Sequence, residues 1–205
     1  GQACGAPAFL ADYRLAPEHP YPAALEDALA AYRWLLKEHR PQDIAIAGDS
    51  AGGNLALALA IAIRDGGLPQ PAALALISPW TDLSLSGETI RTHAARDPMI
   101  RHAWIADGAR AYAGSVALDD ARVSPLFAPL QGLPPMLIHV GSEEVLLSDS
   151  ERLAQRARDA GVDVALRRFD GLWHDFQLQA GLVAEADESI AAFGEFLRRH
   201  WANEK

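Results

Sequence analysis

Short apolar segments alternate with helix-like segments along almost the whole chain, and this alternation is the strongest constraint on its fold. The apolar segments are typical of buried strands and cover residues 8–11, 44–47, 73–77, 136–140 and 164–169. Parallel strands need crossover connections, which are usually helices, whereas antiparallel strands can be joined by tight turns. The alternation therefore predicts an α/β fold with a mostly parallel sheet and helices on both faces.

The segments between these strands carry helical signals. Leu25 and Leu29 begin an apolar stripe at helical spacing, and a similar stripe closes the chain. Residues 55–63 alternate Leu or Ile with Ala, and we predict a buried helix there because Ala is the best helix former and the run is long. Asp149 is predicted to cap a further helix that ends at Gly161.

A more polar stretch over residues 84–120 has weaker periodicity and interrupts the pattern. We interpret it as an insertion, with residues 1–83 and 121–205 forming the α/β core.

The net charge of −9 argues against a nucleic-acid partner. The single Cys4 excludes an internal disulfide and a Cys-based zinc site, and it is compatible with a reducing, cytoplasmic location. No apolar run reaches transmembrane length without a charge, so no stable membrane insertion is expected.

The sharpest chemical signal is the G-x-S-x-G pattern of residues 48–52, which lies between a predicted strand and a predicted helix. A strained strand-to-helix turn in this context lifts the Ser50 hydroxyl above the sheet as a nucleophile. The backbone NH of Ala51, at the start of the helix, can then stabilise a developing oxyanion. The alternative is an ordinary glycine-rich turn capped by serine, but the agreement of strand, turn and helix favours the nucleophile.

A nucleophilic serine needs a histidine base that is oriented by a carboxylate. His174 follows the last predicted strand, where a loop could present it over the strand ends, although spacing alone allows an ordinary surface histidine. His139 lies inside a predicted strand and is expected to be a core residue. The carboxylate should follow the next-to-last strand, and position alone does not separate Glu143 from Glu144. The order Ser, acid, His is that of α/β hydrolases.

Several motifs together resemble the bacterial hormone-sensitive-lipase-like esterases of the α/β-hydrolase superfamily. They are Asp-Tyr-Arg-Leu-Ala-Pro-Glu-His-Pro at 12–20, Gly-Asp-Ser-Ala-Gly-Gly-Asn at 48–54, Ser-Pro-Trp-Thr-Asp-Leu at 78–83, Ser-Pro-Leu at 124–126, Leu-Pro-Pro at 133–135, residues 141–149, and Trp-His at 173–174. These motifs span nearly the whole chain in the family's order.

The resemblance implies Ser50 as nucleophile, His174 as base, Glu144 as triad acid with Glu143 as the alternative, and the Ala51 NH as an oxyanion donor. The family pattern has Asp at the acid position, so Glu144 keeps the carboxylate and lengthens the side chain by one methylene. The resemblance also implies a small ester with a short to medium acyl chain as substrate, no metal or organic cofactor, and a partial cap formed by residues 84–120.

One family feature is absent from this sequence. Members carry a His-Gly-Gly-Gly loop upstream of the Tyr-Arg-Leu-Ala-Pro-Glu motif, and its NH groups supply the remaining oxyanion donors. No histidine here is followed by glycine, and the chain begins at Gly1 without Met. We therefore expect the C-terminal part of a longer esterase, impaired on its own. The alternatives are a catalytically silent module completed by a partner chain or by homodimerisation, and an amide or peptide hydrolase of the same fold.

Overall fold

Four strands form one parallel sheet in the computed structural model, which describes residues 1–201. They follow one another across the sheet in chain order: β1 (Ala45–Asp49), β2 (Ala73–Ile77), β3 (Met136–Gly141) and β4 (Val164–Phe169). Each neighbouring pair is parallel. Four of the five predicted strands are therefore confirmed, and so is the α/β class with its parallel sheet.

Six α-helices connect and cover these strands. They are α1 (Ala23–Leu35), α2 (Ser50–Asp65), α3 (Thr89–Thr92), α4 (His102–Ala113), α5 (Leu147–Asp159) and α6 (Ala184–Trp201), with short 3-10 turns at Pro41–Asp43, Pro125–Phe127 and Phe176–Gln179. The Leu/Ala alternation of residues 55–63 does form a helix, as predicted. Nine consecutive residues of a helix expose every face in turn, and α2 is buried almost all round between the sheet and α1.

The two faces of the sheet pack against different helices because side chains alternate along a strand. On one face, Leu74 and Leu76 of β2 pack in a cluster with α2 and α5. On the other face, Ala73 and Ala75 are small enough to let Phe193 of α6 approach the strand. Helices thus cover both faces, which confirms the predicted architecture.

The predicted strand at residues 8–11 is wrong. The structure has irregular chain there, with Leu10 90% exposed and the Phe9 ring stacked on Trp34 at 5.5 Å. A strand requires a hydrogen-bonded neighbour, and nothing within residues 1–201 pairs with this segment. A cavity of about 290 Å³ separates it from β1, so the apolar run has no ladder partner within reach.

The prediction for Asp149 is also wrong in detail. The helix α5 does run to Asp159, close to the predicted stop, but it begins at Leu147, so Asp149 lies in its first turn and does not cap it. The Asp149 carboxylate instead accepts hydrogen bonds from the backbone NH groups of Thr81 and Asp82, both at 2.9 Å. A tertiary contact that no local pattern encodes has replaced the expected cap.

The sheet topology brings three candidate catalytic residues to the carboxyl ends of the strands. Ser50 follows the carboxyl end of β1, Glu144 follows that of β3, and His174 follows that of β4. The carboxyl ends of parallel strands point the same way, and in open α/β sheets this edge is where ligands bind.

Candidate active site

Ser50 occupies a strained turn between β1 and α2. Its φ is +50°, which is uncommon for a residue with a side chain. Close packing explains the neighbouring glycines, since a Cβ on Gly48 would overlap the backbone of Gly52, and one on Gly53 would lie 2.7 Å from the Pro79 Cβ. The loop after β2 is fixed to the turn because the Trp80 NH donates to the Ser50 carbonyl at 3.0 Å.

Glu144 is fully buried and held by three donors. The Ser78 hydroxyl donates to its Oε1 at 2.7 Å, and the Gly141 NH donates to the same oxygen at 2.6 Å. The other oxygen, Oε2, lies 2.8 Å from Nδ1 of His174. Every contact fixes the plane of the carboxylate, so the imidazole meets an acceptor whose orientation is set in advance.

The neighbouring Glu143 points elsewhere. Its carboxylate accepts a hydrogen bond from the Ser142 hydroxyl at 3.0 Å and lies 3.6 Å from the Arg96 guanidinium. The structure therefore brings Glu144 to His174 and leaves Glu143 in a partly exposed ion pair. Sequence position alone left these two residues open, because adjacent residues in a loop can each turn toward either side.

The His174 ring lies between two carboxylates. Its Nδ1 faces Glu144, as described, and its Nε2 lies 3.0 Å from Oδ2 of the adjacent Asp175. The His174 and Asp175 side chains are both nearly buried, and Asp175 adopts φ +52°. Asp175 was not among the predicted site residues, nor was Ser78. For Asp175 the available signal was its adjacency to His174.

These surroundings shift the protonation of the pair. Burial disfavours the imidazolium, but the carboxylates of Asp175 and Glu144 outweigh burial and raise the pKa of His174 to about 10. Burial raises the pKa of Glu144, and the hydrogen bonds from His174, Ser78 and the Gly141 NH offset only part of that rise. The two carboxylates thus favour the doubly protonated form of the His174 ring, and burial opposes it.

Ser50 and His174 share an edge of the sheet but are not hydrogen-bonded to each other. Within the part of the chain that the structure describes, the Ser50 hydroxyl has no hydrogen-bond partner, and Nε2 of His174 faces Asp175. The backbone NH of Ala51 lies in the first turn of α2 beside the serine, where the partial positive charge of the helix is concentrated.

His139 is a core residue, as its place inside a predicted strand indicates. It is fully buried in β3, its Nδ1 lies 2.7 Å from the Ser189 hydroxyl, and its ring packs against Phe193. Burial, together with the nearby Arg167 charge, lowers its pKa to about 3, so it stays neutral. Its hydrogen-bond and ring partners among residues 1–201 are Ser189, Phe169 and Phe193, and neither Ser50 nor His174 is one of them.

Residues 84–120 pack onto the loop that carries Glu144. Ile90, Ile100 and Ile105 form an apolar cluster with Val145 and Leu146. The buried Asp97 carboxylate strengthens this contact because its Oδ2 accepts a hydrogen bond from the Val145 NH at 3.0 Å. The segment contains α3 and α4 and lies against the loop that carries Glu144.

Residues 1–201 show neither a candidate metal site nor a candidate membrane span. They contain no group of three or more His, Cys, Asp or Glu side chains arranged to hold a metal ion. None of the described helices combines the length and the apolar character that crossing a membrane requires.

Residues 1–178 match the family model described as alpha/beta hydrolase fold. The chain is 41% identical over 187 residues to an esterase of Acinetobacter venetianus, covering 90% of this chain and 62% of the relative. It is also 41% identical over 199 residues to an acetyl-hydrolase of Streptomyces hygroscopicus, covering 97% of this chain and 67% of the relative. The chain thus spans about two thirds or less of these curated relatives' lengths.

Solved structures show the same likeness. The crystal structure of EstE5 soaked with p-nitrophenyl butyrate is 46% identical, with a TM-score of 0.95, and the match covers 98% of this chain and 68% of that one. An esterase from the bacterial hormone-sensitive lipase family is also 46% identical, with a TM-score of 0.91 and coverage of 93% and 64%.

Proposed function

Because the chain belongs to the α/β-hydrolase fold family, among the bacterial hormone-sensitive-lipase-like esterases, we propose that it hydrolyses carboxylic esters by a serine mechanism. One observation carries the proposal: the buried Glu144 carboxylate lies 2.8 Å from Nδ1 of His174, at the same sheet edge as the strained Ser50 turn. A histidine oriented by an acid, at the same end of the sheet as a half-buried serine in a strained turn, supplies the groups that activate a hydroxyl nucleophile.

In this mechanism the Ser50 hydroxyl attacks the ester carbonyl while Nε2 of His174 accepts its proton. The tetrahedral oxyanion is stabilised by the Ala51 NH, and Glu144 holds the imidazolium that forms. The imidazolium then donates its proton to the departing alcohol, which leaves an acyl group on Ser50. Water, deprotonated by His174, attacks the acyl-enzyme and releases the acid. The cycle consumes one ester and one water and needs no metal or organic cofactor.

We assign a small ester as substrate, and residues 84–120 as a partial cap that walls its pocket. The packing of Ile90 and Ile105 against the loop that carries Glu144 supports this role, because it holds residues 84–120 next to that loop. The soak of EstE5 with p-nitrophenyl butyrate indicates a suitable probe for this chain.

The activity of this chain on its own is expected to be weak. Its sequence contains no His-Gly-Gly-Gly loop, and the loss of one oxyanion-hole donor costs about 10²- to 10³-fold in kcat. The rival reading is a silent module that a partner chain or a second copy completes. The two readings differ in whether the isolated monomer transfers a butyryl group to Ser50.

The test is the hydrolysis of p-nitrophenyl butyrate by the purified chain, together with mass spectrometry of the acylated protein and its mass in solution. Ser50→Ala should abolish both turnover and acylation. Glu144→Gln should reduce kcat by up to about 10⁴-fold, the size seen when a triad acid becomes an amide. A monomer that shows neither turnover nor acylation would overturn the proposal for this chain and favour the silent module.

Glu143→Gln is the matched control, since it makes the same chemical change one residue away. Its carboxylate pairs with Arg96 and not with His174, so activity should stay within about twofold of wild type. Equal losses in the two variants would contradict the assignment of Glu144. The p-nitroanilide of butyric acid separates ester from amide hydrolysis, and a faster rate on the anilide would favour the amide-hydrolase alternative.

A further inference from the structure

The second carboxylate at the histidine has no part in the mechanism above. Asp175 Oδ2 lies 3.0 Å from Nε2 of His174, the nitrogen that must accept the serine proton. In the working arrangement that nitrogen carries a lone pair directed at Ser50. Here it faces an anionic oxygen at contact distance, and a lone pair would be repelled there. The position suits an N–H on Nε2, while Nδ1 faces Glu144 at 2.8 Å.

The Asp175 side chain is held by little else. Among the described residues, its Oδ1 is buried without a hydrogen-bond partner, and Nε2 of His174 is the one ionic or hydrogen-bonding partner of its Oδ2. A buried carboxylate oxygen without a hydrogen-bond donor costs free energy. The position of the Asp175 side chain against His174 is therefore only weakly held. The charged groups that act on the ring from the packed elements are Glu144, on the loop after β3, and Asp175, on the ring's own loop.

We propose that Asp175 is a positioning residue that holds His174 in a resting, doubly protonated state and must release Nε2 before Ser50 can be activated. This inference rests on the proposed function, because it regulates the base of that mechanism. The Nε2 contact would have to open, and the ring to lose one proton to solvent, before the ring can accept the proton of Ser50. The raised pKa of His174 agrees with this reading.

The test measures the protonation of the His174 ring and the reactivity of Ser50 in separate experiments. NMR titration of the His174 ring in the full chain should give a midpoint well above neutrality in wild type. Asp175→Asn should lower that midpoint by roughly 1–3 pH units, the effect of removing one close opposite charge. Covalent labelling of Ser50 by a fluorophosphonate at pH 7 should then accelerate by about tenfold per unit. An unchanged midpoint in Asp175→Asn would overturn the proposal.

Asn tolerates the positive φ of this position, and Asp175→Gly provides a second variant whose backbone is equally free to adopt it. Asp170→Asn is the control, because its exposed carboxylate lies in the same loop and pairs with Arg168. It should leave both readouts unchanged. If Ser50 were not the nucleophile, no variant would be labelled while the titration still moved, which separates failure of the proposed function from failure of this inference.

Discussion

At the scale of single residues, the orientation of Glu144 depends on Ser78. Ser78 is fully buried, has a φ of +43°, and donates its hydroxyl to Glu144 at 2.7 Å. Ser78→Ala leaves the Gly141 NH as the remaining donor to that oxygen, so the carboxylate can rotate away from His174. We expect kcat for p-nitrophenyl butyrate to fall about tenfold with KM unchanged, the equivalent of one hydrogen bond to a charged group.

Ser150→Ala is the matched control for that change. Ser150 is also fully buried, but its hydroxyl has no hydrogen-bond partner among the described residues. The substitution should leave kcat unchanged. Steady-state kinetics on both variants decides the point, and equal kcat in Ser78→Ala and wild type would show that the Gly141 NH alone suffices to orient the acid.

At the scale of elements, the first turn of α2 contains two adjacent glycines with different surroundings. A Cβ on Gly53 would lie 2.9 Å from the backbone Cα of Pro79, whereas a Cβ on Gly52 meets only Asp49 Oδ1, at 3.9 Å. Gly53→Ala should therefore lower the free energy of unfolding by about 1–3 kcal/mol through overpacking. Gly52→Ala should be neutral or raise it by up to about 1 kcal/mol, since Ala is the better helix former. Thermal unfolding of both variants measures this difference, and a lower Tm for Gly52→Ala than for Gly53→Ala would contradict it.

Most helices and strands could be predicted because the pattern that indicates each one lies within its own stretch of sequence. The apolar runs of β2 and β4 match the structure over their full predicted lengths, and α2 was recognised from its alanines. The run at residues 8–11 looked equally strand-like, yet a strand is completed only by a neighbour that its own sequence does not specify. The choice between Glu143 and Glu144, and the contacts of Ser78 and Asp175, also depend on distant loops meeting, which spacing along the chain does not encode.

At the scale of the whole molecule, buried ionisable groups make stability depend on pH. Burial and repulsion by Asp82 raise the pKa of Asp149 to about 7, and the carboxylates at His174 raise its pKa to about 10. A raised folded-state pKa contributes stability that is complete below the unfolded value, near 3.8 for Asp149 and 6.5 for His174. That contribution is lost as the pH rises through the folded value. Both groups therefore lower the free energy of unfolding as the pH rises through neutrality.

We expect the free energy of unfolding to fall steadily from pH 5 to pH 9, and the fall between pH 5 and pH 7 to belong mainly to Asp149. Asp149→Asn keeps an oxygen that can accept from the Thr81 and Asp82 NH groups but cannot ionise. It should flatten that part of the curve, by at most roughly 1.4 kcal/mol for each pH unit removed. Urea unfolding at each pH measures the slope, and Asp107→Asn, at an exposed carboxylate, controls for the change in net charge. An equally steep curve in Asp149→Asn would mean that the buried carboxylate ionises without cost, which its contact with Asp82 and its burial argue against.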